Sequence, residues 1–286
     1  MIYVSSSCVR NDKITESVIE LAEAGFNNIE LSGGTHYYDH SSLVNDLLVL
    51  KERYNLNYLL HNYFPPPESD FVLNLASLDK EINQKSLSHV LSSIEMSVSL
   101  GAKYYGFHAG FFLDIGTNEI GKKITTKPYE DKTEAESSFY KNFKTIKAFA
   151  ENSKIEIFVE NNVYSTSNYG QFGNTNPLML MNKEDYHSMK KEIDFNLLLD
   201  VAHLKVSCNT LEKDFEAELT FLNKQSKYIH ISDNDSLEDS NRYVKKESSL
   251  FEQLQAIDLK NKVITLEIYE SIDKIKETYS LINSLL

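Results

Sequence analysis

Cysteine, arginine and long apolar runs are all scarce in this chain of 286 residues. The two cysteines, Cys8 and Cys208, form no disulfide framework, so a reduced, cytoplasmic setting is the simplest expectation. No apolar run approaches the roughly 20 residues that a membrane-spanning helix needs. The N-terminus also lacks the charged start and the apolar stretch of a signal peptide. We therefore expect a cytoplasmic protein that has no membrane partner.

Positive charge is scarce as well. The only arginines are Arg10, Arg53 and Arg242, and the formal net charge is −13 with a pI near 5.1. An acidic protein repels phosphate polymers, so we expect no nucleic-acid partner. The expected partner is a small molecule, and the sequence leaves the oligomeric state open, a homo-oligomer included.

Short β-rich runs alternate with helical patterns eight times along the chain. We expect strands near residues 2–7, 28–32, 57–61, 103–108, 155–160, 195–200, 227–232 and 262–267. Most are near-continuous apolar runs, which are typical of strands buried on both faces. Alternating strands and helices predict a parallel α/β sheet with right-handed crossovers. Eight such units close into one (β/α)8 TIM barrel, which we expect to form a single domain over residues 1–286. An open doubly wound sheet is the alternative.

Histidines and carboxylates recur at the ends of the expected strands or just beyond them. In chain order they are His61, His108, Glu160, Asp200, His203, His230 and Glu267. Every strand of a parallel barrel delivers its C-terminal residue to one shared rim. Imidazole and carboxylate groups that converge there make a divalent metal site. This repeated position favours the closed barrel over the open sheet.

On these residues the chain resembles the xylose isomerase-like TIM barrels, a superfamily of sugar isomerases and epimerases that also contains apurinic-site endonucleases. Besides His61, the matching segments are FVLNLAS (71–77), LGA (100–102), FHAG (107–110), VEN (159–161), DVAH (200–203), HISD (230–233) and LE (266–267). Their shared order and their position at strand ends carry the resemblance.

The resemblance implies one divalent metal ion and its ligands. The implied ligands are Glu160, Asp200, His230 and Glu267. Three carboxylates and one imidazole suit Mn²⁺, Mg²⁺ or Co²⁺, with Zn²⁺ also compatible. The alternative for Glu160 and Asp200 is that they cap neighbouring helices. The resemblance also implies substrate contacts for His61, His108 and His203, while a second metal at His61 and His108 stays open.

Further substrate contacts are suggested by residues that follow the first four strands. Tyr63, Phe64, Phe111 and Phe112 could stack on the apolar face of a sugar, with core packing as the alternative. Arg10 could receive a phosphate or carboxylate, or be a solvated loop residue. We expect surface or structural roles for the remaining histidines, which are His36, His40, His89 and His187. Two long loops, 109–132 and 161–182, are candidate lids or binding loops.

One departure separates the chain from the endonucleases. That branch has an Asp-x-His motif after strand 7, whereas residues 239–241 of this chain read Asp-Ser-Asn, and no histidine follows His230. We therefore expect no complete three-metal cluster. Many isomerases also carry an acidic residue and a histidine in this loop, so the departure weakens close kinship with them too.

The sequence therefore predicts a metal-dependent isomerase or epimerase that acts on a sugar or sugar derivative. Glu160 and Glu267 come from different sides of the barrel, so they could remove and return a proton next to a metal-bound carbonyl. The alternatives are a metal-dependent phosphodiester hydrolase of the apurinic-site endonuclease type and a non-catalytic sugar-binding barrel. The sequence does not identify the sugar or decide between isomerisation and epimerisation.

Overall fold

The computed structural model describes residues 1–173 and 175–286. Within them, eight parallel strands form a closed barrel in which each strand pairs with its sequence neighbours and β8 pairs with β1. Strands β1 to β8 are Ile2–Ser5, Asn28–Leu31, Asn57–His61, Tyr104–His108, Glu156–Glu160, Asn196–Asp200, Ser226–Ile231 and Val263–Leu266. The expected (β/α)8 fold is confirmed, and each strand boundary lies within two residues of its expected position.

Ten helices connect the strands within the described residues. Helices α1 to α10 are Ile14–Glu23, His40–Tyr54, Lys80–Leu100, Lys132–Ser153, Thr166–Phe172, Lys183–Glu192, Val201–Thr210, Phe215–Gln225, Ser249–Ala256 and Ile272–Asn283. Helix α3 shows why they begin and end where they do: the Asp79 side chain accepts hydrogen bonds from the first turn, and Gly101 follows the last turn at φ 66°. None of the described helices has both the length and the apolar composition that crossing a bilayer requires.

The two long loops contain more regular structure than the sequence indicated. The first includes a 3₁₀ turn, Thr117–Glu119, and the second includes α5. Both loops follow strands at the C-terminal end of the barrel, where the histidines and carboxylates also lie.

A layer of large side chains fills the barrel interior below this end. The layer consists of Tyr3, Leu59, Phe158, Leu198 and Tyr228, all buried in one cluster. Side chains two residues apart on a strand face the same side. Two residues further along β3, β5, β6 and β7, towards the C-terminal end, the next inward positions are therefore occupied by His61, Glu160, Asp200 and His230. The apolar layer thus forms the floor on which a polar cluster rests.

Strand register brings these polar positions to one level. His108 on β4 pairs with Glu160 on β5, and Asp200 on β6 pairs with His230 on β7. Glu30 on β2 pairs with Leu59 on β3, which places a carboxylate at the level of the apolar floor. Polar groups from both halves of the barrel consequently meet near its axis.

Candidate active site

Glu160 lies at the centre of the polar cluster and is fully buried. Its Oε2 is 2.7 Å from His61 Nε2 and 3.4 Å from His108 Nε2. Its Oε1 is 3.5 Å from His230 Nδ1 and 3.7 Å from His203 Nδ1. Burial raises the pKa of Glu160, but the adjacent His108 and His61 lower it well below its usual range. The four imidazoles therefore surround an ionised carboxylate.

His230 connects this carboxylate to two others. Its Nε2 lies 3.1 Å from Oε2 of the fully buried Glu30, a contact in which the imidazole N–H donates and the carboxyl oxygen accepts. Its Nδ1 faces Glu160 Oε1 and, at 3.7 Å, Glu267 Oε2. Neither Nδ1 nor Glu160 Oε1 has a hydrogen-bond partner among the described residues. An imidazole nitrogen and two carboxylates thus converge without a donor between them.

This arrangement fits a divalent cation. Burial lowers the pKa of His230, but the Glu30, Glu160 and Glu267 carboxylates raise it well above its ordinary value. The negative charge of these carboxylates is therefore balanced either by a second proton on His230 or by a metal ion. The proton and the metal ion exclude each other, because both would bind His230 Nδ1. Three groups have ligand atoms within 4.8 Å of one another, namely His61–Glu160–His230, His108–Glu160–His203 and Glu30–His230–Glu267.

Asp200, the fourth ligand expected from the sequence, lies on the same rim but in a different setting. Its Oδ1 accepts the His203 backbone N–H at 2.6 Å and so caps α7. The capping role considered as an alternative is thus real for Asp200, whereas Glu160 contacts histidines. Burial, with help from Glu160 and Asp239, raises the pKa of Asp200 to about 7. Asp200 as a metal ligand stays a prediction.

The three histidines expected to contact substrate all lie against carboxylates. Besides the contacts of His61 and His108 with Glu160, His203 donates from Nδ1 to the Asn161 backbone oxygen at 2.9 Å. Its Nε2 lies 3.3 Å from Asp239 Oδ2. Burial lowers the pKa of His203, but Asp200 and Asp239 raise it well above its ordinary value. Substrate contact by these three histidines, and a second metal at His61 and His108, stay predictions.

Two carboxylates of the cluster were missed as site residues in the sequence. Glu30 sits in an apolar strand, and a lone glutamate in a strand buried on both faces was the available signal. Asp239 was recognised only as the remnant of an Asp-x-His motif. Asn241 replaces the motif's histidine, and with its amide turned so that the nitrogen faces the carboxylate it donates to Asp239 Oδ1 at 2.8 Å. An uncharged amide therefore contacts Asp239 where the motif would place a histidine.

A cavity of about 970 Å³ opens above the cluster. Its lining includes His61, His108, His203 and Glu267, which were expected at the site. It also includes Arg10, Tyr63 and Phe111, together with His36, which the sequence had placed among surface or structural histidines. Phe64 and Phe112 are buried in the core, so the stacking role considered for them was wrong.

The two long loops are tied together beside this cavity. Glu119 Oε1 accepts from Thr125 N at 2.7 Å, and Glu119 Oε2 accepts from Thr126 Oγ1 at 2.8 Å. Asn168 on α5 accepts the Ile124 N–H at 2.8 Å, which joins the loop after β4 to the loop after β5. These bonds hold one wall of the cavity in a defined position.

Comparisons with known proteins agree with this architecture. The sequence model of the family described as "Xylose isomerase-like TIM barrel" matches residues 18–285. An uncharacterised protein of Methanocaldococcus jannaschii, MJ1311, is 24% identical over 238 residues, which cover 82% of this chain and 71% of that protein.

Three solved structures have the same fold. A D-tagatose 3-epimerase-like protein has a TM-score of 0.70 at 21% identity, covering 99% of this chain and 98% of that one. A D-allulose 3-epimerase from Methylomonas sp. has a TM-score of 0.68 at 16% identity, covering 100% and 97%. The 3-keto-D-glucoside 4-epimerase YcjR from E. coli has a TM-score of 0.63 at 15% identity, covering 99% and 98%.

Proposed function

We propose a function for the chain on the premise that it belongs to the xylose isomerase-like TIM barrel family. The proposed function is that of a divalent-metal-dependent isomerase or epimerase of a sugar or sugar derivative. The observation that carries the proposal is the convergence of Glu160 and Glu267 on His230 Nδ1 beneath a large cavity. The similar structures named as sugar epimerases support the same reaction class. The proposal takes the chain as one domain over residues 1–286, acting in the cytoplasm without a nucleic-acid partner.

The residues that would hold the ion are Glu160, His230 and Glu267, with Asp200 on the neighbouring strand as the fourth ligand. The donor set suits Mn²⁺, Mg²⁺, Co²⁺ or Zn²⁺. When bound, such an ion would polarise a carbonyl and stabilise the negative charge that develops as a neighbouring proton leaves. Glu30 keeps the proton of His230 on Nε2, and so leaves Nδ1 available to the ion.

Proton transfer is assigned to the two glutamates. Glu267 lines the cavity, and Glu160 lies beneath His61 and His108, which line it as well. Burial raises the pKa of Glu267, but His230 lowers it to about 2, so this carboxylate is ionised at neutral pH. One glutamate removes the proton next to the carbonyl, and the other returns one to the opposite face or to the neighbouring carbon.

The test is solvent-deuterium uptake at the carbon next to the carbonyl, followed by NMR over a panel of ketoses, aldoses and amino sugars. Glu160→Gln and Glu267→Gln keep the side-chain size but remove the base. Each should lower the exchange rate by about 10²–10⁴-fold. Metal content must be measured in parallel, since lost metal would mimic a lost base. Turnover without deuterium uptake would indicate a hydride shift, and the two-glutamate relay would then be abandoned.

Glu218→Gln is the matched control for these variants. Glu218 is also a buried carboxylate, but it lies on α8 and accepts the Lys183 backbone N–H at 2.8 Å, away from the rim. Its neutralisation should leave exchange unchanged. A loss of rate as large as that of Glu160→Gln would mean that removing any buried charge impairs the fold.

A metal-dependent phosphodiester hydrolase is the second candidate, because the group His108–Glu160–His203 offers ligands for a further ion. Asn241 at the position of the missing motif histidine, and the net charge of −13, both disfavour it. Metal-loaded protein would be incubated with an abasic DNA duplex at low salt, and its bound metal counted. Two or more tightly bound ions, with cleavage that Glu160→Gln abolishes, would reverse the ranking. Sugar binding with neither exchange nor cleavage would support a non-catalytic barrel.

A further inference from the structure

The cavity above the rim has more room than a single sugar ring requires. Its volume of about 970 Å³ lies at the upper end of the roughly 300–1,000 Å³ found for sites that enclose drug-sized ligands. A sugar held at Glu267 between His61 and His108 would occupy only the floor. The rest of the cavity is lined by several of the loops that follow the strands, among them the loops after β3 and β4.

We infer that this outer volume is a subsite for a second ring carried by a neutral substrate, with Phe71, Ile115 and Ile120 as its apolar wall. The inference rests on the proposed function, because the first ring is placed at the rim carboxylates. The group that this subsite would bind is a flat or chair-shaped ring with an apolar face, either a second sugar or an aryl group. Both kinds of ring pack C–H or π surface against aliphatic and aromatic side chains.

The cavity lining leaves apolar surface exposed. Ile120 is 49% exposed and Tyr269 is 43% exposed, and both line the cavity. Phe71 also lines the cavity, with its ring 6.2 Å from that of Tyr63. Apolar side chains that meet around a cavity gain stability when a ligand removes them from water.

This wall is preformed because polar side chains fix the loops behind it. Asn74 accepts the Phe111 N–H at 3.0 Å and donates to the Leu113 backbone oxygen at 3.0 Å. Glu119 accepts from the backbone N–H of Gly116 and from the loop beyond it. A wall that is already ordered costs little conformational entropy on binding, which favours a real subsite over a chance opening.

The charges around the cavity favour a neutral ligand. Six carboxylates outnumber Arg10 and Lys122, the two side chains of the lining that are permanently basic, while His36, His61, His108 and His203 also line the cavity. The acidic lining residues are Asp12, Asp70, Glu119, Glu238, Asp239 and Glu267. A phosphate or nucleotide held among these carboxylates would be repelled by them, and the Arg10 guanidinium lies 6.0 Å from the centre of the Tyr269 ring.

Binding of matched sugars to the metal-loaded protein, measured by calorimetry, tests the subsite. Turanose, lactulose and isomaltulose carry a second sugar on three different oxygens of fructose, 6-O-benzyl-fructose carries an aryl ring, and fructose 6-phosphate carries an anion. At least one two-ring compound should bind ten times more tightly than fructose, and the phosphate should bind more weakly. The disaccharide and benzyl arms distinguish a sugar from an aryl occupant.

Phe71→Ala and Ile120→Ala should reduce that gain to less than threefold. Val98→Ala removes a similarly exposed apolar side chain from α3, outside the cavity, and should leave the gain intact. No tenfold gain for any two-ring compound, or tighter binding of the phosphate, overturns the inference. Deuterium exchange on free ketoses, without tighter binding of any two-ring compound, would support the proposed chemistry and reject the subsite. Tighter binding of a two-ring compound without deuterium exchange would support the subsite and reject the proposed chemistry.

Discussion

The most informative single change is Glu30→Gln, because Glu30 supports the candidate metal ligand His230 from below. Its Oε2 accepts from His230 Nε2 at 3.1 Å and from Thr265 Oγ1 at 3.0 Å. Glutamine can offer one oxygen at the same position, so both bonds and the side-chain volume are retained, and its amide nitrogen takes the place of Oε1, which has no hydrogen-bond partner among the described residues. What the substitution removes is the negative charge that holds the proton on Nε2 and makes Nδ1 a better ligand.

The size of the effect follows from that lost charge. A hydrogen bond to a charged group contributes about 1.5–3 kcal/mol and a neutral one about 0.5–1.5 kcal/mol, so the loss is roughly 1–1.5 kcal/mol. Since about 1.4 kcal/mol is tenfold, metal affinity should fall about tenfold. This lies at the lower end of the 10–100-fold typical for partners of ligating histidines. Alanine is a poorer test, because two buried donors left unpaired cost about 1–3 kcal/mol each.

Metal affinity would be measured by competition with a chromophoric chelator, and the thermal unfolding of apo and metal-loaded protein compared. Stabilisation by the ion grows with its concentration relative to Kd, so the metal-induced rise in Tm should shrink in Glu30→Gln. Glu218→Gln, a buried carboxylate away from the rim, should bind metal as the wild type does. Affinity of Glu30→Gln within twofold of the wild type would refute the supporting role.

The architecture was predictable because strands such as β3 and β5 carry both an inward apolar residue and, two residues later, an inward polar one. Leu59 and His61, or Phe158 and Glu160, lie two residues apart, so an apolar residue in the floor is followed by a polar one at the rim. A parallel barrel repeats that pattern around its axis. Strand order and rim position therefore followed from local sequence alone.

The contacts within the site depended on information that local sequence does not contain. Glu30 and His230 are 200 residues apart and meet only because the barrel closes between β8 and β1, which brings β2 and β7 within reach of each other. Asp200 ends a strand and begins a helix at once, so one oxygen serves as a cap while the residue also lies at the rim. The partner of Glu30 could not be inferred from residue type or spacing, whereas the capping role of Asp200 was one of the two alternatives that the sequence offered.

Two further variants test the barrel and the helices around it. Gly106→Ala would place a Cβ 2.7 Å from Leu198 Cδ1 and should destabilise by about 1–3 kcal/mol in denaturant, whereas Gly170→Ala, with no atom within 4 Å, should not. Burial lowers the pKa of His89 to about 4 from 6.5. The unfolded chain therefore gains this proton first, and stability is lost as pH falls from 6.5 towards 4. Melts across that window should show a shallower loss in His89→Gln; equal slopes would contradict a neutral, buried His89.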